Sequence, residues 1–442
     1  MRLFYTLIIL ILFQNCSFDN KTGIWKNENI ITTEEDVDLF KEFKKLASSQ
    51  VFFDKTIPVN RGFKFEKPKQ INNTEWTDVY YNMSNNFENF IYNNSNQILF
   101  KSKRISKYKI NDLLLFEKNN LITSDQKGNI IIYSISDKKI ISKFNFYKKR
   151  FKKIKKKLNL ILENNIIYVS DNLGYLYAYN YKENTINWAK NYKIPFRSNL
   201  KISKNKLFAA NVNNNLIILN KKNGDVLKSI PTEENLVQNK FVNNLSQIKN
   251  LTFFLNTYGS LYAIENDKMN ISWFLNLNRT LDLNPSNLFY SNQIVSNNNL
   301  IVVTANQFTY VIDVKTGSII YKLNLTSSIK PLITENYLFL VSGKSLLISF
   351  DLNTGKIIYS YNINQKIAEF LNIKEKEVQF KNIFMANNKI LIFLKNSFIL
   401  KFNINGDLEN VQKLPSKINS SPIFIDGSVL YLDFKNKLSI IN

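Results

Sequence analysis

The sequence predicts an all-β fold, a β-propeller of about eight four-stranded blades, from three observations. One pattern of short apolar strands separated by polar turns repeats from about residue 90 to the C-terminus. The first turn of this pattern recurs at Asp125, Asp171, Asn211 and Asn256, which gives a period of about 44 residues. Repeats of this length that contain three or four strands each are typical of propellers. About eight such copies fill the chain beyond residue 90.

Two kinds of turn support this fold. Gly128, Gly174 and Gly259 stand in the first turn of their repeats, where a tight connection between strands needs a positive φ angle. A second kind of turn occupies residues 313–317 (DVKTG) and 351–355 (DLNTG). There the Asp and Thr side chains can bond backbone amides, and Gly takes the left-handed conformation. Both kinds predict antiparallel strands joined by short connections.

Large aromatic residues recur at the same position of several repeats, and we expect them to fill the gaps between neighbouring blades. They are Trp188, Trp273, Tyr321 and Tyr359. The last copy ends with a strand at the C-terminus, and no fourth strand follows it. A segment within residues 70–105 is therefore expected to complete that blade and close the ring.

The first 15 residues have the composition of a secretory signal peptide. Arg2 precedes an apolar run over residues 3–13, which is short for a membrane span but fits the hydrophobic region of a signal. Cys16 comes soon after this run and resembles the acylated cysteine of bacterial lipoproteins, although Asn15 stands where a small residue is usual. We predict a signal peptide over residues 1–15 and lipid attachment at Cys16.

Residues 16–70 are expected to form a lipid-anchored tether, followed by the propeller over residues 71–442. Within the tether, residues near 33–47 predict a short helix, because Thr33 is a suitable N-cap, acidic residues follow it, and lysines stand near the end. Ser17 replaces the aspartate that retains many lipoproteins at the inner membrane. The expected location is therefore the periplasmic face of the outer membrane.

The composition excludes most of the common catalytic mechanisms. The chain has no histidine and one cysteine, so it lacks a Ser-His-Asp triad, a histidine base or metal ligand, and a cysteine pair. No cofactor, metal site or catalytic residue is predicted.

The charge is strongly basic, with 59 Lys+Arg against 35 Asp+Glu and a net charge of +24. Residues 148–157 (KKRFKKIKKK) concentrate it between two repeats. This run is typical of a solvated loop, and it is also the best evidence for an alternative function, a periplasmic propeller that binds polyanions or lipid headgroups. AT-rich codons would produce the same excess of Lys, Asn and Ile. The export signal argues against nucleic acid as a partner.

The repeat resembles the PQQ-like repeat of quinoprotein dehydrogenases, with Asp or Asn and Gly in the first turn, Ala178 and Ala263 in the strands, and the aromatic residues above. A lipoprotein signal followed by about eight such repeats resembles the BamB family of the outer-membrane β-barrel assembly machinery. Trp76 and residues 82–90 (NMSNNFENF) resemble the segment that precedes the first blade in that family.

This resemblance implies a non-enzymatic scaffold that assists the assembly and insertion of β-barrel proteins. Its implied partner is the core assembly protein, bound through the POTRA domains of that protein, with this chain a monomer within the complex. The family binds this partner through loops between central blades, and the corresponding segment here holds Arg279, Asp282 and Asn284. Charged residues there could form charge-assisted contacts with a partner.

A PQQ-dependent dehydrogenase is the other function that shares this repeat. Such enzymes generally place an adjacent cysteine pair over the quinone and a carboxylate-rich calcium site beside it. The only cysteine here lies at the predicted signal, and the sequence shows no convincing calcium cluster. The resemblance therefore favours the scaffold.

Overall fold

A computed structural model describes residues 53–95, 97–234, 241–278 and 289–442, together with two short paired strands, β1 (Ser17–Phe18) and β2 (Trp25–Lys26). The predicted signal peptide, Cys16 and the helix near residues 33–47 lie outside the described residues. The propeller belongs to the second of two units, Phe52–Asn442. No helix in the described ranges is long and apolar enough to cross a membrane.

Eight blades, each of four antiparallel strands, form the propeller, which confirms the predicted fold and blade number. The sheet of the seventh blade is extended to six strands by two short strands that precede the first blade. Besides β1 and β2, three strands precede blade 1: β3 (Gln70–Ile71), β4 (Asn89–Phe90) and β5 (Ile98–Arg104). Blade 1 contains β6 (Leu115–Glu117), β7 (Asn120–Ser124), β8 (Asn129–Ser134) and β9 (Lys139–Asn145). Blade 2 contains β10 (Leu158–Glu163), β11 (Ile166–Asp171), β12 (Tyr175–Asn180) and β13 (Thr185–Asn191). Blade 3 contains β14 (Lys201–Ser203), β15 (Lys206–Ala210), β16 (Leu216–Asn220) and β17 (Val226–Ile230). Blade 4 contains β18 (Asn244–Ile248), β19 (Leu251–Leu255), β20 (Ser260–Glu265) and β21 (Asn270–Asn276).

The second half of the ring repeats this arrangement. Blade 5 contains β22 (Val295–Ser296), β23 (Leu300–Ala305), β24 (Phe308–Asp313) and β25 (Ile319–Leu323). Blade 6 contains β26 (Leu332–Ile333), β27 (Tyr337–Val341), β28 (Leu346–Asp351) and β29 (Lys356–Asn362), and helix α1 (Ile363–Leu371) follows it. Blade 7 contains β30 (Phe380–Ala386), β31 (Lys389–Leu394), β32 (Phe398–Asn403) and β33 (Leu408–Lys413). Blade 8 contains β34 (Ile423–Ile425), β35 (Ser428–Leu432) and β36 (Lys437–Ile441), and β5 is its fourth strand.

Burial along the strands explains the apolar runs of the repeat. The second and third strands of a blade are covered on both faces by neighbouring blades, and all six residues of β8 are buried. The fourth strand lies at the rim, and in β13 most side chains are exposed. Strands buried on both faces require near-continuous apolar sequence, whereas rim strands tolerate Lys and Asn.

The predicted turn conformations are confirmed. Gly128, Gly174 and Gly259 have φ angles of 83°, 86° and 100°. In the second kind of turn, Gly317 has a φ angle of 73°, and Thr316 Oγ1 donates to Asp313 Oδ1 at 2.9 Å. These positions favour Gly because other residues rarely adopt the left-handed region.

The aromatic residues fill the spaces between blades, as predicted, and each packs on a glycine of the next blade. The ring of Trp273 covers Gly317, where an added Cβ atom would lie 2.5 Å from the indole. Trp273 Nε1 also donates to Val314 O at 3.1 Å. The other pairs are Trp188 with Gly224, Tyr321 with Gly355, and Tyr359 with Gly406. The glycine of the second kind of turn therefore has two roles. It adopts a positive φ angle, and its lack of a side chain leaves space for the aromatic ring.

We expect Gly317→Ala to lower the free energy of unfolding by about 2–4 kcal/mol, because left-handed strain and overpacking add at this site. Gly62→Ala is the matched control, since Gly62 has a φ angle of 97° but no atom within 4 Å of an added Cβ. That variant isolates the conformational strain of about 1–2 kcal/mol. Urea unfolding of both variants measures the difference, and equal losses would disprove the packing role of Trp273.

The ring closes through β5, which confirms the expected origin of the missing strand. β5 pairs antiparallel with β36, and Phe100 and Lys101 lie opposite Ile440 and Ser439. Residues from before blade 1 thus form the outer strand of blade 8.

Residues 53–70, which are predicted to belong to the tether, contact the propeller in the structure. Ile57 and Ser360 exchange backbone hydrogen bonds of 2.9 and 2.8 Å at the edge of β29. Phe65 packs edge-on against Tyr337, with ring centroids 4.9 Å apart. The free edge of β29 and the aromatic side chain of Tyr337 explain why this segment packs on blade 6.

Candidate functional site

The centre of the ring is filled by residues 76–93, which we call the plug. Backbone hydrogen bonds of 2.8 Å join Trp76 and Phe116 in both directions, so that the plug extends the inner strand of blade 1. Leu162 N of blade 2 donates to Thr77 O at 2.9 Å. These bonds satisfy inner-strand groups that would otherwise face the channel.

Two asparagines of the plug bind the inner strands of blades 4, 5 and 6. Asn85 Nδ2 donates to Leu245 O at 2.8 Å and to Ile294 O at 2.9 Å. Asn86 Nδ2 donates to Ile333 O at 2.7 Å, and its Oδ1 accepts from Ile333 N at 3.0 Å. A primary amide can both donate and accept, which suits it to cap the exposed edge of a strand.

The plug contacts blades 7 and 8 through its C-terminal part. β4 pairs in parallel with β30 of blade 7. The ring of Phe90 stacks on Phe424 of blade 8, with a centroid distance of 5.2 Å and an interplanar angle of 9°. Phe90 is fully buried. The plug therefore supplies part of the hydrophobic core.

Blade 3 is joined to the plug by an ion pair between two buried side chains. Lys201 Nζ lies 2.7 Å from Asp78 Oδ2, and these side chains are 0% and 1% exposed. The same ammonium donates to Asn82 O at 3.0 Å and to Asn85 Oδ1 at 2.6 Å. Burial lowers the pKa of Lys201, and the charge of Asp78 opposes that shift. All three ammonium protons thus have acceptors on the plug.

A second buried lysine, Lys330, reaches the plug from blade 6. Its Nζ donates to Asn85 O and lies 3.2 Å from the ring centroid of Phe87. Burial first, and then the nearby charge of Lys201, holds the pKa of Lys330 well below its usual value. The plug therefore contacts all eight blades.

The connections from the outer strand of one blade to the inner strand of the next lie on one face of the ring, since strands alternate in direction within each blade. At the centre of this face is a cavity of about 620 Å³, which we call the mouth cavity. The plug closes it with Trp76 and Phe87. Its charged lining residues are Lys109, Asp112, Lys155, Lys156, Lys157, Lys330 and Lys381.

The residues present do not fit a quinone with its calcium ion. The plug takes up the centre of the ring, and within the described part of the chain no three Asp, Glu, His or Cys side chains are grouped to hold a metal. The mouth cavity offers one carboxylate among its lining residues. Calcium requires six to eight oxygen ligands, several of them usually carboxylates.

Arg279, Asp282 and Asn284 lie outside the described residues, in the connection between β21 and β22, and Cys16 also lies outside them. Residues 148–157 form the connection between blades 1 and 2, with a short 3₁₀ turn at Lys149–Phe151. Most of this run is exposed, whereas Lys156 is buried, and its Nζ donates to Phe151 O. The basic pattern of the run predicts a solvated loop, whereas Lys155, Lys156 and Lys157 line the mouth cavity.

Comparisons with known proteins agree with the fold. The structure of BamB from Moraxella catarrhalis matches with a TM-score of 0.62 and 10% identity, over 78% of this chain and 99% of that chain. A quinohemoprotein alcohol dehydrogenase from Comamonas testosteroni matches with a TM-score of 0.62 and 9% identity, over 83% of this chain and 80% of that one. Identities this low show the fold alone.

No curated protein sequence matches the chain. A family model described as outer membrane protein assembly factor BamB matches residues 109–322 and 291–441. Together these two matches span seven of the eight blades and most of the last. The chain therefore belongs to the family of the outer membrane protein assembly factor BamB.

Proposed function

We propose that this protein is a non-enzymatic scaffold that assists the assembly and insertion of β-barrel proteins into the outer membrane. The family match over most of the chain carries the proposal. In this role the chain binds the core assembly protein through the POTRA domains of that protein. A lipid at Cys16 anchors it to the periplasmic face of the outer membrane.

The filled centre of the ring supports a scaffold rather than an enzyme. The axis holds buried aromatic side chains and a buried ion pair that connect the blades to one another. The sequence also lacks histidine throughout. A quinoprotein dehydrogenase, which shares the fold, would need metal and cofactor contacts that the described residues do not offer.

The proposed partner-binding surface is the connection between blades 4 and 5, with Arg279, Asp282 and Asn284. The described residues that flank it include the exposed ring of Tyr290, and Phe274 on the neighbouring rim strand is 53% exposed. Interfaces combine exposed aromatic side chains with charged groups at the periphery. This combination suits a protein partner better than a membrane surface.

Isolation of the tagged full-length protein from detergent-solubilised membranes tests the proposal. We expect the core assembly protein to copurify, and we expect Cys16→Ser to leave the tagged protein in the soluble fraction. The charge-removing pair Arg279→Ala/Asp282→Ala should reduce recovery of the partner at least fivefold. Asp137→Ala/Lys138→Ala is the matched control, because both residues are exposed in a turn on the opposite face of the ring. Absence of the core protein at low salt would overturn the proposal.

A further inference from the structure

We propose that the mouth cavity binds a small anion that carries two or more phosphate or carboxylate groups. The cavity lies at the centre of the face that bears the connections between blades, and its lining residues come from all eight blades. This site is distinct from the connection between blades 4 and 5, and it does not rest on the scaffold function proposed above.

The charge of the lining carries the proposal. Six lysines line the cavity against one aspartate, Asp112. Three of them, Lys109, Lys155 and Lys157, are exposed, and their ammonium groups form no hydrogen bond or ion pair with any described residue. Like charges held close together repel one another, and a polyvalent anion between them removes that repulsion.

Lys381 adds positive charge at the cavity wall. Its Nζ donates to Asn419 O at 2.7 Å, and the nearby charge of Asp112 favours its charged form. Lys330 donates to backbone oxygens of the plug, and it is not counted among these charges because burial holds its pKa well below the usual value. Positive charges in a partly buried site attract an anion more strongly than the same charges in open solvent, because water screens them less.

One buried donor at the wall has no partner among the described residues. Trp76 is 2% exposed, and its Nε1 donor is unpaired. Buried donors nearly always find an acceptor in native proteins. A bound phosphate or carboxylate oxygen supplies that acceptor.

The size of the cavity selects a small ligand. Its volume of about 620 Å³ lies within the range of pockets that bind small molecules and cofactors. The plug forms its floor, so an extended polyanion cannot continue through the ring. A compact di- or trivalent anion meets the lysines from several blades at the same time.

Isothermal titration of the full-length protein with pyrophosphate and with citrate tests the inference. We expect one of the two to bind with a Kd at or below the submillimolar range at low salt. The anion that binds more tightly shows whether the site prefers phosphate or carboxylate groups. Lys109→Gln/Lys155→Gln/Lys157→Gln should weaken binding at least tenfold.

Lys139→Gln/Lys143→Gln/Lys356→Gln removes the same charge from exposed rim strands and is the matched control. It should change the Kd less than twofold, and thermal unfolding should show both triple variants folded. Equal losses in the two variants, or no binding of either anion to the unmodified protein, would overturn the site. Tighter binding of a hexaglutamate peptide than of both small anions would also overturn it, in favour of an acidic protein segment.

Discussion

Lys201→Met should lower the free energy of unfolding by about 3–5 kcal/mol, because it leaves the carboxylate of Asp78 buried without a cation. The ammonium of Lys201 also donates to Asn82 O and Asn85 Oδ1. In the variant Asn85 Oδ1 loses this donor, and Asn82 O keeps only the bond from Asn85 N at 3.1 Å. Urea unfolding, followed by tryptophan fluorescence, measures the loss. A loss below about 1 kcal/mol would mean that the pair adds little to the stability of the ring.

Two further variants distinguish the effect of the buried charge from a loss of packing. Lys204→Met removes a lysine that is 71% exposed and paired with Asp267, and exposed pairs contribute only about 0–1 kcal/mol. Lys201→Met/Asp78→Asn removes both charges, so it should recover part of the stability that the single variant loses. If the double variant is less stable than the single one, the unpaired carboxylate is not the cause.

Phe90→Ala should cost about 3–5 kcal/mol, the usual loss for truncation of a buried phenylalanine. The ring is fully buried, stacks on Phe424 of blade 8 and meets Tyr81 edge-on at 5.0 Å. Its removal opens a cavity where the plug, blade 7 and blade 8 meet. Differential scanning calorimetry and urea unfolding both report the change.

Phe434→Ala is the control for this truncation. Phe434 is 63% exposed, and truncation of a surface side chain changes stability by about 0.5 kcal/mol or less. Similar losses at both positions would show that the plug is not part of the cooperative core. A large loss at Phe90 alone would establish that the segment before blade 1 stabilises the whole ring.

The repeating part of the fold could be predicted because its signals are local and recur. Gly317 lies four residues after Asp313, and the same turn recurs at Gly355. A turn that recurs in one sequence can be recognised without other sequences. The aromatic residues between the blades, such as Trp273, recur with the same period. Ring closure followed from the missing last strand, and β5 fills that place.

The plug and the mouth cavity could not be predicted in the same way, because neither repeats. Asn85 binds Ile294 O across 209 positions of sequence, and no local pattern marks such a contact. The cluster of aromatic residues in a segment outside the repeat, with Trp76, Phe87 and Phe90, was the available signal that it is buried. Lys381 is isolated in sequence and joins Lys157 only through the closed ring.

The plug also determines the order in which the molecule can be completed. It is synthesised before any blade, yet its hydrogen-bonding partners lie in every later part of the chain, and the strand that follows it pairs with residues 437–441. A closed ring cannot be threaded afterwards, so the blades must assemble around this segment. Contacts this distant in sequence form late and make folding slow. The chain therefore remains incomplete until its last strand is made, and a protein of this design depends on protection from aggregation until then.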